Sequence, residues 1–125
     1  MSWSSPYFSS EEMKCSHTGL EKMDAEFMEK LTELRAAYAK PMTVTSAFRD
    51  ATHPIEAKKA KPGTHNTGKA VDIAVDRGEA YEVLRLAMEM GFQGIGVQQK
   101  GGGRFLHLDM CTEDDGQVRP TIWSY

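Results

Sequence analysis

The chain has 125 residues, of which 40% are hydrophobic and 26% charged, and its net charge is −3. This length fits one compact domain, residues 1–125, whose core can fold without disulfides. The weak negative charge gives no electrostatic reason to expect a nucleic-acid partner. The sequence shows neither a recognisable signal peptide nor a run of ~20 apolar residues that spans a membrane.

Helical signals dominate the first third of the chain. The elements predicted there are a short helical turn over Glu11–Cys15, a helix over Ala25–Ala39 and a short β-prone stretch over Met42–Phe48. Ser9 and Glu12 have the S-x-x-E spacing of a capping box. Asp24 is suited to cap the second helix, whose apolar residues recur with helical spacing until Pro41 ends the run.

The rest of the chain alternates between strands, one helix and loops. The predicted elements are an irregular loop over Asp50–Thr67, a strand over Ala70–Val75, a helix from Ala80 to Met88 capped by Gly91, and strands over Gly94–Gln98 and Phe105–Met110 joined by a turn at Gly101–Gly103. A loop of this length in a compact domain is usually functional or disordered. The order of elements predicts an α+β fold with a small antiparallel sheet and flanking helices.

Two cysteines, Cys15 and Cys111, lie far apart and form no C-x-x-C pair. We predict two unpaired thiols, as is typical of a reducing cytosol. A disulfide between them is the alternative that the sequence leaves open.

The strand over Ala70–Val75 carries an acid on an otherwise small face. Alternation places Asp72 between two alanines on one face and puts valine and isoleucine on the other, which is typical of a core face. The alanines leave room around the carboxylate for an ion. His65 lies just before this strand, and imidazole nitrogen and carboxylate oxygen are both good zinc ligands. A solvent-facing aspartate on a half-exposed sheet explains this strand alone equally well.

The last predicted strand repeats the pattern, because His107 and Asp109 share one face and leucines occupy the other. A single strand histidine is more often a hydrogen-bonded structural residue than a ligand. Two strands that both present ligand-type side chains favour a metal site. His65, Asp72 and His107 supply three ligands and leave a fourth position open, which is typical of catalytic rather than structural zinc.

Five segments carry motifs that occur together in known proteins. They are FSSEEMKC, TSAFRDATH with Ser46 and Arg49, THNTGKAVDI, GFQGIGVQQKGGGRFLHLDM and RPTIWSY. The third resembles the SxHxxGxAxD signature of the zinc D-Ala-D-Ala carboxypeptidases and their phage endolysin relatives, with Thr64 in place of serine. The others resemble the opening, the S-x-x-R element, the terminal HxD and the W-x-Y ending of a short branch of that family. The resemblance covers nearly the whole chain and implies the scaffold shared with lysostaphin-type peptidases and the hedgehog domain.

The resemblance implies roles for individual residues. His65, Asp72 and His107 match the three zinc ligands of the family. Arg49 matches an arginine that binds substrate and steadies the oxyanion, for which a guanidinium offers fixed donors; a surface salt bridge is its alternative role. Gly68 fits a tight backbone position near the site, and its alternative role is that of an ordinary turn glycine.

One position departs from the family. Better-known branches carry an acid, as general base, three residues before the last zinc ligand, where this chain has Arg104. Asp109 is the nearest substitute as general base, and its alternative role is to orient a histidine. His53, in the long loop, is a further candidate, as donor to the tetrahedral intermediate, or else a loop histidine without a role.

The implied function is a zinc-dependent peptidase acting on the stem peptide of bacterial peptidoglycan. The bond cleaved is D-Ala-D-Ala, a cross-link or L-Ala-D-Glu. We expect a monomeric phage or prophage enzyme, made in the host cytoplasm without a signal peptide and acting on the wall after release, or carried in the virion. The alternative is a zinc-containing binding or phage structural module, because hedgehog relatives use this scaffold for binding and Arg104 replaces the usual acid.

Overall fold

The computed structural model describes residues 3–59 and 63–125. Its helices are α1 Ser10–Met13, α2 Ala25–Tyr38, α3 Pro54–Ala57 and α4 Arg77–Glu89, and its strands are β1 Thr43–Ser46, β2 Ala70–Ala74, β3 Gly94–Gln98, β4 Phe105–Asp109 and β5 Thr121–Ser124. Two 3₁₀ turns lie at Thr64–Thr67 and Glu113–Asp115. This is an α+β fold, which confirms the predicted class.

All five strands form one sheet in the order β1-β2-β4-β3-β5. The pairs β1–β2, β2–β4 and β4–β3 are antiparallel, as predicted, whereas β5 runs parallel to β3. The sheet is therefore mixed rather than wholly antiparallel. β5 was not predicted, because its four residues place Ile122 and Trp123 side by side without the alternation that identifies a strand.

The predicted caps explain where the first helices begin. Asp24 accepts a hydrogen bond of 2.9 Å from the backbone N–H of Phe27 at the start of α2. Ser9 and Glu12 form the predicted capping box at α1. α2 ends at Tyr38, one residue before the predicted end, because Ala39 takes a left-handed conformation with φ of 63°.

The later elements match the prediction less closely at their ends. α4 begins at Arg77, three residues before the predicted start, and ends just before Gly91, whose φ of 81° suits a glycine beyond a helix end. The predicted irregular loop over Asp50–Thr67 contains α3 and a 3₁₀ turn, and residues 60–62 of that loop lie outside the described residues.

The two faces of the sheet have different surroundings. One face carries the buried residues Val71, Ile73, Ile95, Leu106 and Leu108, and this face forms the core with α2 and α4. Burial of these side chains supplies the main stabilising free energy of the domain. The helices thus cover one face, and the face with the alternate residues is left for polar side chains.

Two further sequence predictions concern the thiols and the membrane. Cys15 and Cys111 are both buried and free, as predicted. Within residues 3–59 and 63–125, none of the helices combines the length and the apolar character that crossing a membrane requires.

Candidate metal centre

Three separate elements bring His65, Asp72 and His107 together. His65 lies in the 3₁₀ turn that precedes β2, Asp72 is in the middle of β2, and His107 is directly opposite it on β4. All three side chains are buried. One ligand-type atom from each residue lies within 4.8 Å of the others. This confirms the prediction that the three residues are close enough to share one ion.

Each histidine ring has one nitrogen that faces Asp72 and one that contacts a different group, and the second contact sets the orientation of the ring. Asp72 Oδ1 lies 3.3 Å from His65 Nε2 and 3.1 Å from His107 Nδ1. The opposite nitrogen of His65, Nδ1, donates to the Ala47 carbonyl over 2.8 Å, and His107 Nε2 lies 2.7 Å from Asp109 Oδ2. A neutral imidazole has one N–H, so these contacts leave a lone pair on each nitrogen that faces Asp72.

The donor set fits a divalent transition metal. Two imidazole nitrogens and one carboxylate oxygen form a three-ligand set that suits Zn²⁺, with a fourth position open to water or substrate. Ala70, on the same face of β2 as Asp72, has only a methyl side chain. The residues present therefore fit the ion that the sequence analysis predicted.

The charges of the centre favour ionised Asp72 and proton binding at His107. Burial raises the pKa of Asp72, but hydrogen bonds and charges from His107 and His65 outweigh this effect and hold the pKa well below its usual range. Burial lowers the pKa of His107, while Asp109 and Asp72 raise it above the usual value. Since a metal and a proton compete for the same nitrogen, metal affinity falls as the pH is lowered.

Asp109 is fully buried, with an exposed fraction of 0%, and its carboxylate is shared among several donors. Arg119 donates to it twice, from Nε to Oδ1 over 2.9 Å and from Nη2 to Oδ2 over 2.8 Å. The Cys111 backbone N–H donates to Oδ1 over 3.1 Å, and His107 occupies Oδ2. These donors outweigh burial and lower the pKa of Asp109 to about 2.

These contacts favour one of the two roles considered for Asp109. A general base needs an oxygen that faces the reacting water, whereas both oxygens of Asp109 already accept hydrogen bonds from protein donors. The position of Asp109 behind His107 suits a residue that orients a metal ligand. Arg119, which holds Asp109, was missed by the sequence analysis, and its only signal was its place in the RPTIWSY segment.

Two glycines of β3 make room for this network. A Cβ at Gly94 would overlap the Asp109 carboxylate, and one at Gly96 would lie 2.7 Å from Trp123 Nε1. The Trp123 ring packs 5.1 Å from the ring of His107, with the Arg119 guanidinium 5.2 Å from the Trp123 ring centre. Both glycines of the G-x-G in β3 are therefore required, because a side chain at either position would collide with residues on the face of the sheet that carries Asp72 and His107.

Arg49 follows β1 and reaches the edge of the centre, where it contacts two carboxylates. Its Nη2 lies 3.8 Å from Asp72 Oδ2, and its Nη1 lies 3.5 Å from Glu56 Oε2. Glu56 is 2% exposed and also accepts from the Gly63 backbone N–H over 2.7 Å. The sequence analysis missed Glu56, because nothing in a loop sequence predicts that a charged residue is buried there.

Two other positions lie apart from the centre in the described part of the chain. His53 caps α3: its Nδ1 accepts from the Ile55 backbone N–H over 3.1 Å, and its Nε2 lies 3.4 Å from Ser16 Oγ. In residues 3–59 and 63–125, His53 does not belong to the group of side chains that could share a metal ion. Arg104 donates to the Gly101 carbonyl over 2.9 Å and so stabilises the turn before β4. Gly68 has φ of 76°, and a Cβ there would overlap the Lys22 carbonyl oxygen, so no larger residue fits this backbone position.

Removal of the metal is expected to lower the melting temperature without unfolding the chain. An ion that binds only the folded state stabilises it by about 2.7 kcal/mol at a free concentration 100 times its Kd. The helices and the apolar face do not involve the ligands, so the fold persists in the apoprotein. Thermal unfolding with and without a chelator measures the shift, and identical curves after complete metal removal would contradict a bound ion.

Comparison with models of protein families identifies a family for the chain. The family model described as Peptidase M15 matches residues 6–109. This range contains His65, Asp72, His107, Arg49 and Asp109, and it ends before Arg119 and β5. None of the curated proteins compared with the chain matches it.

Proposed function

The chain belongs to the Peptidase M15 family and is a metallopeptidase, and from this premise we propose that it uses zinc to hydrolyse peptide bonds of bacterial peptidoglycan. The observation that carries the proposal is the buried His65–Asp72–His107 cluster inside the range that matches the family. Its three ligand atoms and open fourth position are the arrangement that catalytic zinc requires.

Each residue of the centre has a separate task in this proposal. Bound zinc supplies a Lewis acid that polarises the scissile carbonyl and makes water a stronger nucleophile. His65, Asp72 and His107 would hold the ion, and Asp109, in contact with His107 Nε2, keeps this ring in the orientation that turns Nδ1 toward Asp72.

Arg49 is the residue we propose for substrate binding. Its side chain is partly exposed and lies beside Asp72, so its guanidinium can donate to a substrate carboxylate or to the oxyanion that forms during hydrolysis. Glu56 holds the other side of the guanidinium and reduces the entropy that Arg49 loses when substrate binds. We assign no catalytic role to His53, whose nitrogens contact Ile55 and Ser16.

The proposed substrate is the stem peptide, and the proposed setting is a phage or prophage lytic enzyme. The resemblance of THNTGKAVDI and of the terminal HxD to phage endolysins supports this setting. We further propose that the enzyme is a monomer made in the host cytoplasm and that it acts on the wall after release. The alternative within this proposal is an enzyme carried in the virion.

Mass spectrometry of peptidoglycan fragments tests the proposal. Purified peptidoglycan incubated with the zinc-loaded protein should yield new muropeptides that have each gained one water across a peptide bond. Loss of a terminal D-Ala identifies a carboxypeptidase, whereas separated stem fragments identify an endopeptidase. The His65→Ala variant serves as the matched control for contaminating hydrolases.

A second candidate function is a zinc-containing module that binds without cleaving. Two observations favour it: Arg104 replaces the acid of other branches, and the Asp109 carboxylate is fully occupied. A parent protein that retains zinc and leaves every muropeptide intact would support this candidate and contradict the peptidase.

A further inference from the structure

The ring of Tyr125 lies on the metal side of the sheet. Trp123 of β5 pairs with Gly96 of β3, which in turn pairs with His107 of β4. The Tyr125 ring centre is 5.1 Å from that of Phe105, and its hydroxyl is 2.9 Å from where a Gly96 Cβ would be. Phe105 and His107 share a strand face, so the phenol lies over the same face as the metal centre.

The glycine at position 96 allows the phenol to reach this place. Neighbouring strands are about 4.8 Å apart, so β5 is roughly 10 Å from β4, with β3 between them. A side chain at position 96 would collide with both Trp123 and Tyr125. Because Gly96 has none, the Tyr125 ring crosses β3 and contacts Phe105 on β4.

The surroundings of the phenol leave its proton available. Trp123 Nε1 and the Tyr125 hydroxyl lie 2.7 Å and 2.9 Å from where a Gly96 Cβ would be, and because an indole N–H only donates, it cannot take the phenol proton. Partial burial of the hydroxyl end raises the pKa of Tyr125, and the carboxylates of Asp72 and Asp109 raise it further. The residue is nevertheless 61% exposed, so a ligand can reach it.

We propose that Tyr125 is a catalytic residue whose hydroxyl donates a hydrogen bond to the scissile carbonyl oxygen as negative charge develops on it. Arg49 lies next to Asp72 on the β1 side, and Tyr125 lies beyond His107 on the β5 side, so the two donors flank the centre. A donor placed in advance at a developing oxyanion stabilises the transition state more than the ground state. The inference rests on the proposed peptidase function.

The test compares Tyr125→Phe with Tyr81→Phe, which removes the hydroxyl of a 70% exposed tyrosine on α4. On the muropeptide that the parent cleaves, Tyr125→Phe should lower kcat by about 10²-fold, the usual effect of losing one oxyanion donor, with KM little changed. Metal content and melting temperature should equal those of the parent. A phosphinate analogue of the cleaved bond should bind the variant about 10²-fold more weakly, while the cleavage products bind both proteins equally.

Two results would overturn the inference. In the first, Tyr125→Phe keeps kcat within about twofold of an active parent, which means that no transition-state interaction was lost. In the second, kcat falls together with metal content or melting temperature, which indicates a structural role. Failure of the proposed peptidase function is distinguishable from both results, because in that case the parent protein itself cleaves no muropeptide. The inference about Tyr125 then fails together with the proposed function.

Discussion

Substitution of His65 by alanine is expected to abolish both metal retention and hydrolysis. His65 is one of the three candidate ligands in residues 3–59 and 63–125, and the remaining pair, Asp72 and His107, cannot by itself hold a catalytic zinc ion. A bound metal contributes several kcal/mol to transition-state stabilisation, and each ~1.4 kcal/mol is a factor of ten, so turnover should fall by about 10³-fold or more. Metal analysis and muropeptide cleavage measure the two losses.

His17→Ala is the matched control for this substitution. His17 is exposed, and its described ring contact is with His53, 6.1 Å away, so this variant should retain one zinc per chain and the parent's turnover. His65→Ala should still fold, because its hydrogen bond to the Ala47 carbonyl is one contact beside an intact core. A His65→Ala protein that binds one equivalent of zinc and cleaves normally would exclude the site described here.

Asp109→Asn is expected to weaken metal binding and to destabilise the fold. The carboxylate holds His107 Nε2 and pairs with the Arg119 guanidinium, whose side chain is nearly buried. Loss of a residue that orients a metal ligand lowers metal affinity by about 10–100-fold. Loss of one partner of a buried ion pair costs about 3–5 kcal/mol of unfolding free energy, because Arg119 keeps its charge.

The zinc dependence of Asp109→Asn separates the two roles considered for this residue. If Asp109 orients His107, turnover should approach that of the parent once zinc is saturating. If Asp109 is instead the general base, zinc affinity should stay normal and turnover should remain lower by about 10²–10⁴-fold at any zinc concentration. Asp114→Asn, a change at an exposed residue, should affect neither quantity.

The parts of the site that the sequence predicted are those encoded by local patterns. Strand alternation places Asp72 and His107 on one face, and the antiparallel pairing of β2 with β4 sets them opposite each other. Asp24 and Pro41 mark α2 because capping and helix termination act within a few residues. Helix boundaries and strand faces could thus be predicted from one sequence, because they depend on residues that are close together in the chain.

The parts that were missed depend on contacts between distant segments. Arg119 reaches Asp109 only because β5 joins the sheet beside β3, and a parallel pairing leaves no local pattern. Glu56 is a charged residue expected at the surface, and only the folded loop that brings Arg49 to it explains its burial. The same reason underlies the change in our interpretation of Asp109, whose role is decided by its partners rather than by its strand face.

The sheet explains how a chain of 125 residues supports both a core and a site. One face of β2 and β4 carries the apolar residues that pack against α2 and α4, and the other carries Asp72 and His107. Because Asp72 and His107 lie on central strands that pair on both sides, their positions are fixed before an ion binds. Such preorganisation is what a metal site for catalysis requires.

Titration of the apoprotein with zinc tests most directly the claim that one ion, held by His65, Asp72 and His107, is needed for hydrolysis. Zinc is added in steps to metal-free protein, and both bound zinc and the rate of muropeptide cleavage are measured at each step. We predict that the rate starts at zero, rises in proportion to bound zinc and levels off at one zinc per chain. Full cleavage by the metal-free protein, or a rate that does not follow zinc bound at this site, would contradict the claim.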